Sequence, residues 1–265
     1  PLSSGFLQCG RYLPSMGGAA GGLVIELELA DLTDAVVGHT NTSTTWQIEE
    51  FQCHIDSVTL TSEMTSNFAD MLIRGESILI PYQANDCAKM FLSGGSNQVL
   101  SLAKQYSRLA SVIVSFTDAI GAPGGDTAAG SNNKEVNKFY LAQGSSETVE
   151  SFITVNNMRF PQFNTTGTKH HYMRLLMGLG VWNSVSHSVN ISSAGYGDGS
   201  ADARQFCIMN DLETVPHAEA SGLPVQGGGL VQVTALNLGA PTTAFVTSHY
   251  DAVLEIRSQG AIAYS

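Results

Sequence analysis

Apolar and polar residues alternate along the first part of the chain with the period of a β-strand. In residues 23–30, leucine and isoleucine occupy every second position, and Glu26 and Glu28 lie between them. A second alternating run covers residues 46–60 and predicts one long strand with a bulge near Glu49, where the phase shifts. Each run predicts a strand with one apolar face directed at a core.

The period changes to that of a helix in two places. In TSEMTSNFADMLIRG, apolar residues recur every three or four positions, Ser62 can cap the first turn and Gly75 follows the last turn. The apolar stripe consists of Met64, Phe68, Met71 and Leu72. A stripe at this spacing predicts core packing rather than a ligand pocket. GTKHHYMRLLMGLG repeats the spacing and ends at Gly180, which predicts a second short helix.

The rest of the chain consists of further strand patterns and long polar segments. The predicted strands are SILIPY ending at Pro81, either two strands or one bent strand over 99–116, ETVESFITVNNMRFPQF ending at Pro161, RQFCIMND, GLVQVTALNLG and TTAFVTSHYDAVLEIRSQ. We predict that residues 118–137 and 183–203 form outward loops with the highest mobility in the chain. The pattern favours an all-β antiparallel sandwich with two short helices over a βαβ fold.

Composition narrows the class of protein. The chain has 265 residues, of which 43% are hydrophobic, so disorder is excluded for most of it. Only 13% of residues are charged, and 12 basic against 23 acidic residues give a net charge of −11. The basic residues are scattered, so we expect no direct binding to nucleic acid.

Targeting signals and cysteine spacing add little. No run of about 18 apolar residues or signal-peptide pattern occurs, so we expect a soluble chain with no membrane span. The first residue is Pro1, which indicates a cleaved chain or a missing N-terminal part. The four cysteines (Cys9, Cys53, Cys87, Cys207) lack metal-ligand spacing and are expected to be buried free thiols. The sequons at Asn41, Asn164 and Asn190 are attributed to chance.

Catalytic signatures are missing from the sequence. Two His/Asp pairs, His54 with Asp56 and His249 with Asp251, lie two residues apart on predicted strands, so each pair shares a face. Each would still need a serine nucleophile opposite it, and polar surface pairs are the expected interpretation. We therefore predict no catalytic residue, and the chain is not expected to be an enzyme.

Metal and cofactor sites are not expected either. GYGDGSADA contains Asp198 and Asp202 but lacks the ordered ligand spacing of a calcium loop. His170 and His171 are adjacent on a predicted helix and point in different directions, so they cannot share a metal. One is expected on the surface and the other packed inside.

Several segments in succession resemble the major capsid proteins of polinton-like viruses and virophages, which infect eukaryotes and carry double-stranded DNA. These segments are GRYLPSMGGAAGGLVIELELADLTDAVV, WQIEEFQCHIDSVTL, MTSNFADMLIRGESILIPY, KQYSRLASVIVSF, NMRFPQFNTTGTKHHYMRLLMGLGVWNS, NDLETVPHAEASGLPVQGGGLVQV and SHYDAVLEIRSQGAIAYS. Together they cover nearly the whole chain. The resemblance lies in their order rather than in any single chemical motif.

The resemblance implies a double jelly roll and a structural role. Residues 1–60 would supply the closing strands of a first jelly roll, and residues 61–265 would form the linker helix and second jelly roll. Three copies would form a pseudo-hexameric capsomer of an icosahedral shell, with other capsid proteins such as a penton as further partners. Such a protein is located in the virion after assembly inside the host cell.

Two other classes of function remain open from the sequence. A carbohydrate-binding β-sandwich would use loop aromatics such as Tyr140, Trp182 and Tyr196 to stack on sugar rings. A hydrolase would use one of the two His/Asp pairs. A capsid protein is expected to form trimers or larger assemblies, whereas the other two classes need not.

Overall fold

Two β-sheets and three helices make up the part of the chain that the structure describes. The computed structural model describes residues 61–93, 95–117, 148–182, 191–197, 205–213, 221–225, 229–238, 243–258 and 260–264, together with 5, 13, 25, 26, 28, 47–50, 52, 54 and 56–60. The helices are α1 (Ser62–Ile73), α2 (Thr168–Gly178) and the short α3 (Ser193–Gly197). The third helix was not predicted, because its five residues are too few to show a period.

The strands divide into two antiparallel sheets. The first contains β1 (Ile78–Phe91), β3 (Leu109–Thr117), β6 (Cys207–Asp211), β8 (Thr243–Arg257) and β9 (Gly260–Tyr264). The second contains β2 (Gln98–Leu102), β4 (Glu150–Val155), β5 (Met158–Thr166) and β7 (Val231–Leu236). The strand orders are β1-β8-β3-β6, with β9 also paired to β8, and β2-β7-β4-β5.

This strand order defines a jelly roll. Eight of the nine strands form two four-stranded paths, and β9 extends the first sheet beside β8. Neighbours within each path are mostly distant in sequence, as two Greek keys require. The register between β1 and β8 is continuous, from Ile78 opposite Ile256 to Phe91 opposite Thr243. The prediction of an all-β antiparallel jelly-roll sandwich is therefore confirmed.

The core lies between the two sheets. Alternation decides which side chains enter it, and every second residue of β7 is fully buried. The fully buried strand residues include Val112, Val114, Phe116, Ile153, Val155, Val231, Val233 and Val246. The predicted inward face of 112–116 is confirmed, and the choice left open over 99–116 resolves as two strands, one in each sheet.

Helix α1 forms where the sequence predicted it. Its N-cap is Thr61 rather than Ser62, because the extended backbone of Thr61 lets its hydroxyl accept a hydrogen bond from the Met64 N–H at 3.4 Å. As predicted, Gly75 follows the last turn of the helix, where it has φ of +83° and donates its N–H to the Leu72 carbonyl. Of the apolar stripe only Leu72 is buried, so the prediction of a core stripe is wrong for exposed Met64.

Two predicted strand ends at proline are wrong. β1 continues through Pro81 and β5 continues through Pro161. Both lie on edge strands, where a residue without an N–H can face away from the only paired neighbour among the described residues. The ETVESFITVNNMRFPQF run is two strands, because Asn156 and Asn157 both have positive φ and form a two-residue hairpin turn.

The N-terminal strands are not assigned. The described residues of 23–30 and of 46–60 lie in no strand, and the other residues of these runs lie outside the described part. A strand needs a hydrogen-bonded neighbour, and the described strands pair only among 78–264. The predicted loop 118–137 also lies outside the described residues.

Candidate assembly surface

The edge strand β5 leaves its ladder and turns an aromatic side chain outward. Pairing between β4 and β5 breaks between Ser151 and Ile153, where residues 161–164 bulge away from the sheet. Phe163 lies on this bulge with 84% of its surface exposed, and Met158 at the start of the strand is also exposed. A bulge on an edge strand blunts further pairing and redirects side chains, so this edge presents side chains rather than backbone.

Helix α2 lies beside this edge and contacts both β5 and β6. Its inward face carries buried His171 and Leu175. Its outward face carries exposed Met173 and Met177, one turn apart, and Trp182 follows the helix half exposed. We call the exposed apolar residues Met158, Phe163, Met173, Met177 and Trp182 the β5–α2 surface.

A buried hydrogen-bonded histidine fixes α2 against the sandwich. His171 Nδ1 lies 2.7 Å from the Gly167 carbonyl oxygen, which can only accept, so Nδ1 carries the proton. Nε2 then accepts from the Ser151 hydroxyl at 2.8 Å. Both side chains are 1% exposed, so no substrate reaches the pair. Burial lowers the pKa of His171 to about 4, which keeps the ring neutral at pH 7.

A second exposed apolar area lies on the outer face of β1, β8 and β9. Leu79 and Ile262 both pair with Glu255, so all three point to the same face. Leu79, Ile262 and Tyr264 are exposed around Glu255, and we call these four residues the β1–β9 face. Both side-chain nitrogen contacts from Arg257 to Glu255 measure 2.8 Å, and they help to lower the pKa of Glu255 to about 2.

The predicted His/Asp pairs do not form dyads. His249 and Asp251 share the outer face of β8 as predicted, but no hydrogen bond joins them within the described residues. Asp251 instead accepts the Gly222 N–H at 3.4 Å, and burial lowers the pKa of His249. His54 and Asp56 are exposed and lie in none of the described strands, so the structure does not bring them onto a shared face.

The adjacent histidines occupy different environments. His170 is exposed and His171 is buried, which confirms that one is on the surface and the other packed inside. Among the described residues, no group of three or more His, Cys, Asp or Glu side chains is placed to hold a metal. Asp198 and Asp202 lie outside that part of the chain. None of the helices described is long and apolar enough to cross a membrane.

The predicted sugar platform is wrong at Tyr196. This residue is in α3 with 1% of its surface exposed, and its hydroxyl donates to the Cys207 carbonyl oxygen. The expectation of an outward loop over 183–203 is therefore wrong at this position, because a large aromatic ring gains more by entering the core. Trp182 is half exposed, and Tyr140 lies outside the described residues.

Cysteine burial follows the prediction at one of the two described positions. Cys207 is a buried free thiol, and burial raises its pKa to about 12. Cys87 is exposed on the outer face of β1, where the prediction of burial is wrong. The side-chain amide of Asn164, the described sequon asparagine, donates to Glu150.

Comparisons with known proteins find similarity among solved structures. The chain is similar to the capsid of the virus PBCV-1 in a quasi-atomic model, with TM-score 0.46 and 11% identity over 78% of this chain and 55% of that chain. It is also similar to PBCV-1 VP54 fitted into a reconstruction of the virophage Sputnik, with TM-score 0.48 and 10% identity over 78% and 55%. The cryo-EM structure of the Sputnik virophage gives TM-score 0.39 and 12% identity over 71% and 39%.

The chain spans about half the length of the first two structures it matches, and less of the third. No protein-family model and no curated protein matches it. The jelly-roll assignment rests on the strand order of this chain, as described above.

Sequence reasoning missed the residues that distinguish the β5–α2 side. Phe163 follows Pro161 within an alternating run, and the proline was the signal that the ladder is irregular there. Met173 and Met177 are four residues apart in the helix, off the stripe of buried residues. Arg174 of α2 and Asn210 of β6 line one cavity, and they come together only through the contact between these two elements, so no local pattern identified them.

Proposed function

We propose that this protein is a structural subunit of a viral capsid. The observation that carries the proposal is a jelly-roll strand order combined with large apolar side chains exposed at a sheet edge and on a sheet face. Jelly rolls serve in viral shells and in lectins, so the fold alone does not decide between them. The sequence resemblance to capsid proteins and the buried position of Tyr196 favour the capsid role.

The exposed apolar surfaces support self-association. Phe163 and the methionines of α2 lie on one side of the sandwich, and the β1–β9 face lies on the outer face of the first sheet. Large exposed apolar side chains grouped on one element or face often mark protein contacts, and Met adapts its shape to a partner. Two separate surfaces are what a subunit needs to contact neighbours in a closed shell.

We propose that the N-terminal region belongs to another sandwich, which precedes the described one in the chain. Among the described residues of 1–60, Ile25, Ile48, Val58 and Leu60 are exposed. Covering such side chains gains about 25 cal/mol per Å², so these residues favour packing against further strands. We assign residues 1–60 to the closing strands of a first jelly roll and residues 61–265 to the second. Three copies then form the capsomer.

The proposed role needs neither catalysis nor a cofactor. The shell contacts are with further copies of the chain and with other capsid proteins such as a penton. The chain is placed in the virion, after assembly inside the host cell. Its net charge of −11 is consistent with a subunit that does not itself bind nucleic acid.

Sedimentation of the purified full chain tests the proposal. We expect trimers or larger assemblies, and we expect Phe163→Asp to shift them toward monomers because a charge replaces an exposed apolar contact. Gln105→Asp, at an exposed polar position outside the β5–α2 surface, is the control and should sediment like the parent. A parent chain that stays monomeric at all concentrations contradicts the proposal.

A further inference from the structure

A cavity of about 210 Å³ opens on the side of the sandwich where β5 of one sheet faces β6 of the other. Its wall consists of Ile153, Phe160, Pro161, Arg174, Asn210 and Asp211. Helix α2 contributes Arg174 and closes the gap between the two sheet edges. About 10–15 Å³ of such space holds one water molecule, so a cavity of this size has room for a small organic group.

Two buried donors on this wall lack partners. Arg174 Nε and Asn210 Nδ2 are both buried, and neither has a hydrogen-bond partner in the described part of the chain. Asn210 is only 3% exposed. Native proteins rarely leave buried donors unpaired, because such groups lose their hydration without replacement. Both unpaired atoms carry N–H groups, so the missing partner is an acceptor.

The charges and the apolar residues of the wall restrict the chemical class of the ligand further. Asp211 lies on the same wall, and its charge raises the pKa of Arg174 while burial, the larger effect, lowers it. A full anion would gain from Arg174 but would be repelled by Asp211. Ile153, Phe160 and Pro161 provide an apolar surface opposite the polar groups.

We propose that this cavity binds a carboxamide group on a short apolar stem. The amide oxygen accepts from Arg174 Nε and Asn210 Nδ2, the amide nitrogen donates to Asp211, and the stem packs on Phe160 and Pro161. The group is neutral, which suits a wall with one cation and one anion. It comes either from a free small amide or from an Asn or Gln side chain of a second copy. The inference does not depend on the capsid role.

Titration of the full chain, followed by its backbone amide NMR resonances, tests the proposal. Isobutyramide is expected to shift the resonances of β6 and α2, and isobutyrate and isobutanol should bind at least about ten-fold more weakly. Arg174→Met should lose about ten-fold or more in isobutyramide affinity. Arg159→Met is the matched control, because Arg159 stacks on Phe152 outside the cavity and should leave the affinity unchanged.

A second variant gives a readout without ligand. Asn210→Leu keeps the number and branching of the side-chain heavy atoms and removes the unpaired Nδ2, so it should abolish binding while raising the thermal midpoint of the free chain. If a second copy supplies the amide, the same resonances shift with protein concentration and isobutyramide reverses the shift. A free small amide gives no such concentration dependence. Equal shifts with all three compounds, or none with isobutyramide, would overturn the proposal.

Discussion

The centre of the sandwich and its β5–α2–β6 side are built on opposite principles. In the centre, the β4–β7 register is regular and the β3–β8 register shifts only between Leu109 and Ser111, and the inward valines of these strands are fully buried. On the other side, the ladder bulges, a cavity opens, and buried polar atoms of Asn164, Thr165, Arg174 and Asn210 lack partners among the described residues, compared with Ser248 alone in the four central strands. The difference indicates that stability is concentrated in the centre, while the side next to α2 keeps groups available for contact.

Two phenylalanines provide the strongest test of this contrast. Phe116→Ala removes a fully buried ring from the centre and should lower the free energy of unfolding by about 3–5 kcal/mol. Phe163→Ala, at the exposed bulge, should change it by less than about 0.5 kcal/mol. Urea denaturation of the monomeric chain measures both, and similar losses would remove the distinction between the two regions.

Low pH should destabilise the fold through His171, the histidine that fixes α2. Since the pKa of His171 falls from 6.5 to about 4 on folding, the unfolded chain binds more protons between these values. The contribution of His171 to the free energy of unfolding is complete above pH 6.5. It decreases by up to about 3 kcal/mol as the pH falls to about 4. Denaturation curves from pH 7 to 4 measure the loss. His170→Gln, next in the chain but exposed, removes only a smaller contribution to the lowered pKa of His171 and should leave most of this pH dependence in place.

Alanine substitutions at two glycines test whether the surroundings of each are rigid or adaptable. A Cβ at Gly222 would lie 2.8 Å from the backbone carbonyl carbon of Leu109, so Gly222→Ala should cost about 1–3 kcal/mol. A Cβ at Gly178 of α2 would lie 2.6 Å from Met209 Cε and 2.9 Å from its Cγ, both atoms of a flexible side chain. Gly178→Ala should therefore cost less than about 1 kcal/mol, partly offset by helix propensity. Thermal unfolding ranks the two, and the reverse order would contradict the comparison.

The smallest effect is expected outside the sandwich. Thr61→Ala removes the N-cap hydrogen bond of α1, which is long at 3.4 Å, and should cost about 0.5 kcal/mol. Thr61→Ser keeps the hydroxyl and serves as the control. Helix content by circular dichroism should fall slightly for alanine alone, and a loss above about 2 kcal/mol would show that α1 is part of the stable centre.

The central strands were predictable because their alternation and their burial have the same cause. The pattern at Val112, Val114 and Phe116 identified both the strand and its core face. Ser151 broke the pattern, since it is buried for a hydrogen bond to His171, whereas neighbouring Phe152 faces outward beneath Arg159. The inward position of polar Ser151 depends on a hydrogen bond to a helix residue 20 positions away, so local periodicity did not predict it.

The candidate surfaces were less predictable than the fold. Exposure of Phe163 follows from a bulge, and no rule of alternation specifies where a ladder breaks. The cavity donors Arg174 and Asn210 lie in elements joined only by tertiary contact. The two asparagines of the β4–β5 turn did carry a local signal, because adjacent residues that tolerate positive φ mark a hairpin, but the run was interpreted as one strand.

The position of β8 in the chain has a consequence for synthesis on the ribosome. β8 pairs along one side with β1 and along the other with β3 and β9, yet it is translated after β1 and β3 by well over a hundred residues. The first sheet cannot close until β8 emerges, so β1 waits with both edges unpaired while the intervening residues are made. Such long-range pairing slows folding and leaves nascent strands open to aggregation. A cell that translates this chain rapidly from many ribosomes therefore needs chaperone capacity that covers this interval.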